Sequence, residues 1–68
     1  MNSQEFSQKV FQKQIKNGTI FDVSKENIKI GQVGVIRDTV VYLEFKDGVI
    51  PSDLLVGNYE FTEVIEGE

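Results

Sequence analysis

The chain has no cysteine, no histidine and no tryptophan, and its 68 residues include one proline and one methionine. Without cysteine or histidine there is no disulfide framework and no thiolate or imidazole metal site. Nucleophilic catalysis loses its usual parts as well: serines and threonines are present, but no His can act as base and no Cys as nucleophile. Long apolar runs are missing, and none approaches the ~20 residues of a membrane span. The opening Met1-Asn2-Ser3-Gln4-Glu5 also lacks the basic and then apolar order of a secretory signal. A cytoplasmic protein without a membrane partner is expected.

Phosphate and cation sites are equally weakly encoded. Gly31 and Gly34 are not followed by Gly-Lys-Ser/Thr or by a helical pattern, so they read as a bend within a strand. Asp38, Glu44, Asp47 and Asp53 do not have the spacing of a calcium loop, and Asp38 and Asp47 fit turns. No cofactor and no metal are expected, and neither is an enzyme.

What remains is a single domain over 1–68 with a thin core of Val, Ile, Leu and Phe, because a chain this short buries only about 60% of its unfolded surface. Net charge is -4 and unevenly spread. Residues 1–30 carry five lysines against Glu5, Asp22 and Glu26, a net +2, while 31–68 carry Arg37 and Lys46 against eight acids, a net -6. A surface this acidic disfavours nonspecific attraction to nucleic acid.

Residues 3–17 are predicted to form a helix. Asn2 is the N-cap, Glu5 completes a capping box, Met1 and Phe6 form a hydrophobic staple, and Asn17-Gly18 ends it. Phe6, Val10, Phe11 and Ile15 make one stripe, and Lys9, Lys13 and Lys16 another. From 19 to 65 the pattern is that of an antiparallel sheet of four or five strands. Thr19–Val23 reads as the first strand, while 28–30 reads equally as strand or ordered loop. Gln32–Ile50 reads as a meander with turns at Asp38-Thr39 and Asp47-Gly48, the latter a strong type I′ signal. A two-residue turn at Asp38-Thr39 would put Ile36, Val41, Leu43 and Phe45 on the core face and Val33, Val35, Arg37, Val40, Tyr42 and Glu44 on the other. Pro51–Leu55 suits a tight turn that inserts Leu54 or Leu55, the last strand spans 59–65, and 66–68 should fray.

The run Gly48-Val49-Ile50-Pro51-Ser52-Asp53-Leu54-Leu55 resembles the end of a Src-homology-3-like barrel, and Ile30-Gly31 through Glu44-Phe45-Lys46-Asp47-Gly48 is similar to small barrels of the KOW and Tudor type. The resemblance covers residues 28–65 and implies a small bent sheet or barrel carrying the helix. For the KOW type it further implies RNA-linked or ribosome-linked binding. The chain departs from the Src-homology pattern, with no Trp for a proline groove and Leu54 near the place of its Tyr.

The fold expected is therefore α+β, and the function a noncatalytic module that binds another protein. A phage or mobile-element adaptor or inhibitor acting through an acidic surface fits this size and composition. Val35, Arg37, Val40 and Tyr42 form the expected interaction strip, since Tyr, Arg and Val exposed together have the composition of an interface. The alternative is a nucleic-acid-associated small barrel that uses the face of Lys9, Lys13 and Lys16 together with Arg37.

Overall fold

Asn2 starts the helix in the way its sequence dictates. In the computed structural model, which describes residues 1–65, the Glu5 N–H donates to Asn2 Oδ1 at 2.8 Å and the Asn2 N–H donates to Glu5 Oε1 at 3.2 Å. This complete capping box opens α1 (Ser3–Phe11). The helix ends at Phe11 rather than near 17. Lys13 takes the left-handed conformation at φ 58, its N–H donates to Val10 O at 3.1 Å, and the Gln14 N–H donates to Lys9 O at 2.9 Å. These are the two bonds of a Schellman ending. A lysine occupies the position usually given to glycine, which is why the composition does not announce the stop.

The sheet contains β1 (Thr19–Lys25), β2 (Ile28–Ile36), β3 (Thr39–Phe45) and β4 (Glu60–Glu63), all antiparallel, in the order β3-β2-β1-β4. Residues 28–30 are thus strand, and the last strand is shorter than the expected 59–65. The class is α+β, as expected, with one helix on a four-stranded sheet. The sheet does not close, because β3 and β4 are its two edges. No helix among the described residues is long and apolar enough to cross a membrane, and the fraying expected of 66–68 falls outside the described residues.

Three turns have positive φ at both central residues: Glu26-Asn27 (53, 68), Arg37-Asp38 (52, 66) and Asp47-Gly48 (59, 66). Two such residues in succession give the hairpin twist that matches antiparallel strands. Only the third turn has the glycine that advertises it. After it, Val49 is extended and makes one turn bond to Lys46 O at 3.2 Å, but Val49 and Ile50 lie outside any strand, so the expected return strand does not form. Pro51, which has no N–H to donate, follows directly.

The turn at Arg37-Asp38 lies one residue before the expected one, which moves the β2–β3 pairing by two residues and keeps the expected groups of residues on common faces; what is reversed is which of the two faces is core. The cause is β1. Phe21 pairs with Val33 and Thr19 with Val35, so the large inward side chains of β1 select Val33 and Val35 as the inward set of β2. Ile36 then points outward and pairs with Thr39. A bulge in β3 at Leu43 follows, since Tyr42 pairs with Val33 and Glu44 with Gln32. It returns Phe45 to the inner face opposite Gly31, whereas Val41 and Leu43 stay outside.

The core consists of Phe6, Phe21, Val23, Val33, Val35, Leu54, Tyr59 and Phe61. Phe6 is fully buried, stacked on Phe61 at 4.2 Å between centroids and edge-on to Phe21 at 5.1 Å. Met1 packs on this cluster, as the staple requires, and Leu54 is the residue that the 51–55 turn inserts. Ser3 is the one buried polar side chain among the described residues; its Oγ donates to Leu54 O at 3.0 Å and accepts from the Tyr59 N–H at 3.2 Å. Beside it the Phe61 N–H donates to Met1 O at 2.6 Å, and Asn2 bridges Glu60. Met1 and Asn2 therefore cover the free edge of β4.

Ser3→Ala leaves a buried carbonyl and a buried N–H without a partner and should cost about 1–3 kcal/mol in urea unfolding. The glycines of β2 should separate sharply. A β-carbon at Gly31 would stand 2.6 Å from Glu44 O and against the Phe45 ring, while at Gly34 the nearest atom is Leu43 Cδ1 at 3.6 Å. Gly31→Ala should therefore destabilise by about 1–3 kcal/mol through overpacking, and Gly34→Ala should be neutral or mildly stabilising, both read by urea unfolding.

Candidate interaction surface

With α1 on one side of the sheet, nothing among the described residues covers the other. Across this outer face, β1 contributes Ile20, β2 contributes Gly34 and Ile36, and β3 contributes Val41 and Leu43. Ile20 pairs with Gly34, which pairs with Val41, and the Leu43 side chain leans over the glycine. Gly34 has no side chain to stand between its neighbours, so Ile20, Val41 and Leu43 line a shallow apolar strip that Ile36 extends. Ile36 and Leu43 are each 48% exposed.

The adjoining part of the same face is polar. Gln32 Nε2 donates to Asp22 Oδ1 at 2.9 Å, and Lys29 Nζ lies 3.2 Å from the same oxygen. The hydrogen bond from Gln32, and secondarily Lys29, holds the Asp22 carboxyl below its usual range despite some desolvation. Glu44, Thr62 and Glu60 complete this margin, since Gln32 pairs with Glu44, Asp22 with Thr62 and Ser24 with Glu60.

Of the residues expected to form one exposed strip, Val35, Val40 and Tyr42 share a face, but it is the inner one. Val35 is buried in the core, and Val40 is half-buried above it. Tyr42 is 43% exposed on the inner side of β3, with its ring edge-on to Phe45 at 6.1 Å. Arg37 sits in the turn, where its N–H donates to Asn17 Oδ1 at 2.6 Å. The three lysines do not share a helix face either: only Lys9 lies within α1, Lys13 is the left-handed residue after it, and Lys16 belongs to the following loop. Lys13 approaches Asp38 at 3.8 Å, an exposed and weak pair.

Two open grooves flank the exposed ring of Phe11. One of about 750 Å³ runs between α1 and residues 55–58 and is lined by Ser7, Gln8, Gln12, Val56 and Asn58 among others. The other, about 420 Å³, lies over Val10, Val40 and Leu55 and is bounded by the Lys13–Asp38 pair. The first is lined by uncharged side chains that offer hydrogen bonds and apolar contact, and the second is mainly apolar, with the weak Lys13–Asp38 pair at its border.

Sequence reasoning missed Ile20, Ile36, Val41 and Leu43 as surface residues because alternation groups residues on a face without saying which face the helix covers. The signal was indirect. Phe21, the largest side chain of the first strand, must point inward, and pairing it with Val33 determines the direction of everything after it.

No protein-family model, no curated protein and no solved structure matches the chain. The functional reading therefore rests on these surfaces.

Two groups should shape the pH dependence. Asp22, lowered in the fold, contributes stability that is present above its unfolded value near 3.8 and is lost as pH falls through the lower folded value. Tyr59, whose hydroxyl donates to Asp53 Oδ1 at 2.8 Å, is raised by that hydrogen bond and by burial, so its contribution is present below about 10.0 and is lost as pH rises through the folded value. Melting temperature measured against pH should fall less steeply on the acid side in Asp22→Asn and on the alkaline side in Asp53→Asn.

Proposed function

We propose that the protein is a noncatalytic protein-binding module that engages another protein through the outer face of its sheet. The observation that carries this reading is the uncovered strip of Ile20, Ile36, Val41 and Leu43 around Gly34. An apolar centre bordered by Asp22, Glu44, Glu60 and Thr62 has the anatomy of an interface, with a centre that is dehydrated on binding and a rim that stays wet. The acidic rim selects partners with basic or hydrogen-bond-donating surfaces. A small, rigid, acidic domain of this kind acts by occupying a surface, as an adaptor that recruits or an inhibitor that blocks, and a role of this sort in a phage or mobile element fits its size and charge.

Leu43→Asp tests the reading, because Leu43 is half exposed and its loss should change stability by no more than about 0.5 kcal/mol. Wild-type protein immobilised from its N-terminal side should recover one partner in stoichiometric amount, and Leu43→Asp should lose it with an unchanged melting temperature. Strong, salt-dependent binding to RNA or DNA, weakened by Lys13→Glu and unaffected by Leu43→Asp, would replace this reading with the nucleic-acid one.

A further inference from the structure

Asn17-Gly18 does not end the helix, and its place in the loop before β1 gives the dipeptide another chemical meaning. Of the asparagines only Asn17 is followed by glycine; Asn2, Asn27 and Asn58 precede Ser3, Ile28 and Tyr59. An asparagine before glycine closes readily on the next backbone nitrogen, because glycine has no side chain to obstruct the ring. In that reaction the Gly18 nitrogen, stripped of its proton, attacks Asn17 Cγ. The new N–C bond replaces the bond from Cγ to the side-chain nitrogen, which leaves as ammonia. Water then opens the succinimide at either carbonyl, giving an aspartate or an isoaspartyl link that lengthens the backbone by one carbon.

Both reacting groups are tied down in the fold. The Gly18 N–H donates to Val35 O at 2.7 Å, and Asn17 Oδ1 accepts from the Arg37 N–H at 2.6 Å. The first bond withholds the proton that must leave before the nitrogen can attack, which is also the step that hydrogen exchange requires. The second anchors the side-chain amide to a turn 20 residues further along the chain. Both residues are exposed, and Gly18, at φ 90, has nothing within 4 Å of where a β-carbon would stand. Solvent therefore reaches the site, and the two bonds rather than burial restrain it. An N–H on Oδ1 also stabilises the charge that grows on that oxygen during attack. That benefit comes only to a nitrogen already free of its proton, and Val35 holds the proton, so restraint wins.

We infer that Asn17-Gly18 is a deamidation site held shut by the fold, one that reacts when the loop before β1 opens from Val35 and Arg37. Each opening risks an irreversible change, so the dipeptide records how often this end of the sheet has come apart. The two products differ in effect. An aspartate still offers an oxygen to the Arg37 N–H, whereas the isoaspartyl link displaces the Gly18 N–H from Val35. The inference does not depend on the outer face binding a second protein.

The full chain and a synthetic peptide of residues 14–22 are kept in the same mildly alkaline buffer, and peptide mapping by mass spectrometry reads the exchange of amide for acid at position 17. Asp47-Gly48 can close a similar ring, but its isomerisation leaves the mass unchanged and does not interfere. The peptide should deamidate readily, and the folded chain about tenfold or more slowly. As urea is added, the rate in the full chain should follow the exchange rate of the Gly18 amide hydrogen measured by NMR. A folded chain that deamidates as fast as the peptide overturns the inference. One that deamidates faster also overturns it and makes the Arg37 N–H an oxyanion donor. A deamidation rate that stays constant while Gly18 exchange rises overturns the gating by local opening.

Discussion

The ring of Phe6 is what joins the parts of this molecule. It comes from α1, stacks on Phe61 of β4 and meets Phe21 of β1 edge-on, and it is wholly removed from water. Burial of one such side chain is worth about 1.5–3 kcal/mol and each aromatic pair adds about 0.5–1.5, a large share of the stability of so small a domain. Around it the capping box sets the entry angle of α1, and the Ser3 hydroxyl ties the helix start to Leu54 and Tyr59. Without Phe6 the helix loses the one side chain it buries completely in the core, and without the helix the inner face of the sheet is wet.

From that constraint the two faces of the sheet follow. Phe21 and Val23 must face Phe6, and their pairing sets Val33 and Val35 inward. The polar and apolar parts of the outer face are then the remainder, arranged by the same alternation. The acidic margin along Asp22, Gln32 and Glu44 keeps that face soluble beside an apolar strip that could otherwise pair indiscriminately.

Much of this was legible in the residues. The capping box at Asn2 and Glu5, the turn at Asp47-Gly48, the insertion of Leu54 and the α+β class all rest on local chemistry that a short window contains. The helix stop at Lys13 and the hairpin turns at Glu26-Asn27 and Arg37-Asp38 were not legible to the same degree. They place charged or polar side chains in left-handed backbone, and tertiary bonds such as the one from the Arg37 N–H to Asn17 support them. Alternation put Val33, Val35, Val40 and Tyr42 on one face and Ile36, Val41 and Leu43 on the other, as the strands do, but it did not say which of the two faces the helix covers. Val35, Val40 and Tyr42 of the expected strip therefore lie together on the inner face, with Val35 in the core, while Ile36 and Leu43 lie outside and Arg37 sits in the turn.

The seam between Ser3 and Leu54, Ser3 and Tyr59, and Met1 and Phe61 joins residues that are more than fifty positions apart. The hairpins of β1, β2 and β3 close loops of two residues, whereas this seam closes nearly the whole chain, and the entropy of closure grows with that length. The order of assembly follows from this difference. The meander can form from local contacts first, and the helix, too short at nine residues to persist alone, forms when Phe6 finds Phe61. The contact that costs the most chain entropy to close thus joins the two ends of the sequence, and it belongs to α1 and the shortest strand rather than to the strands that dominate the fold.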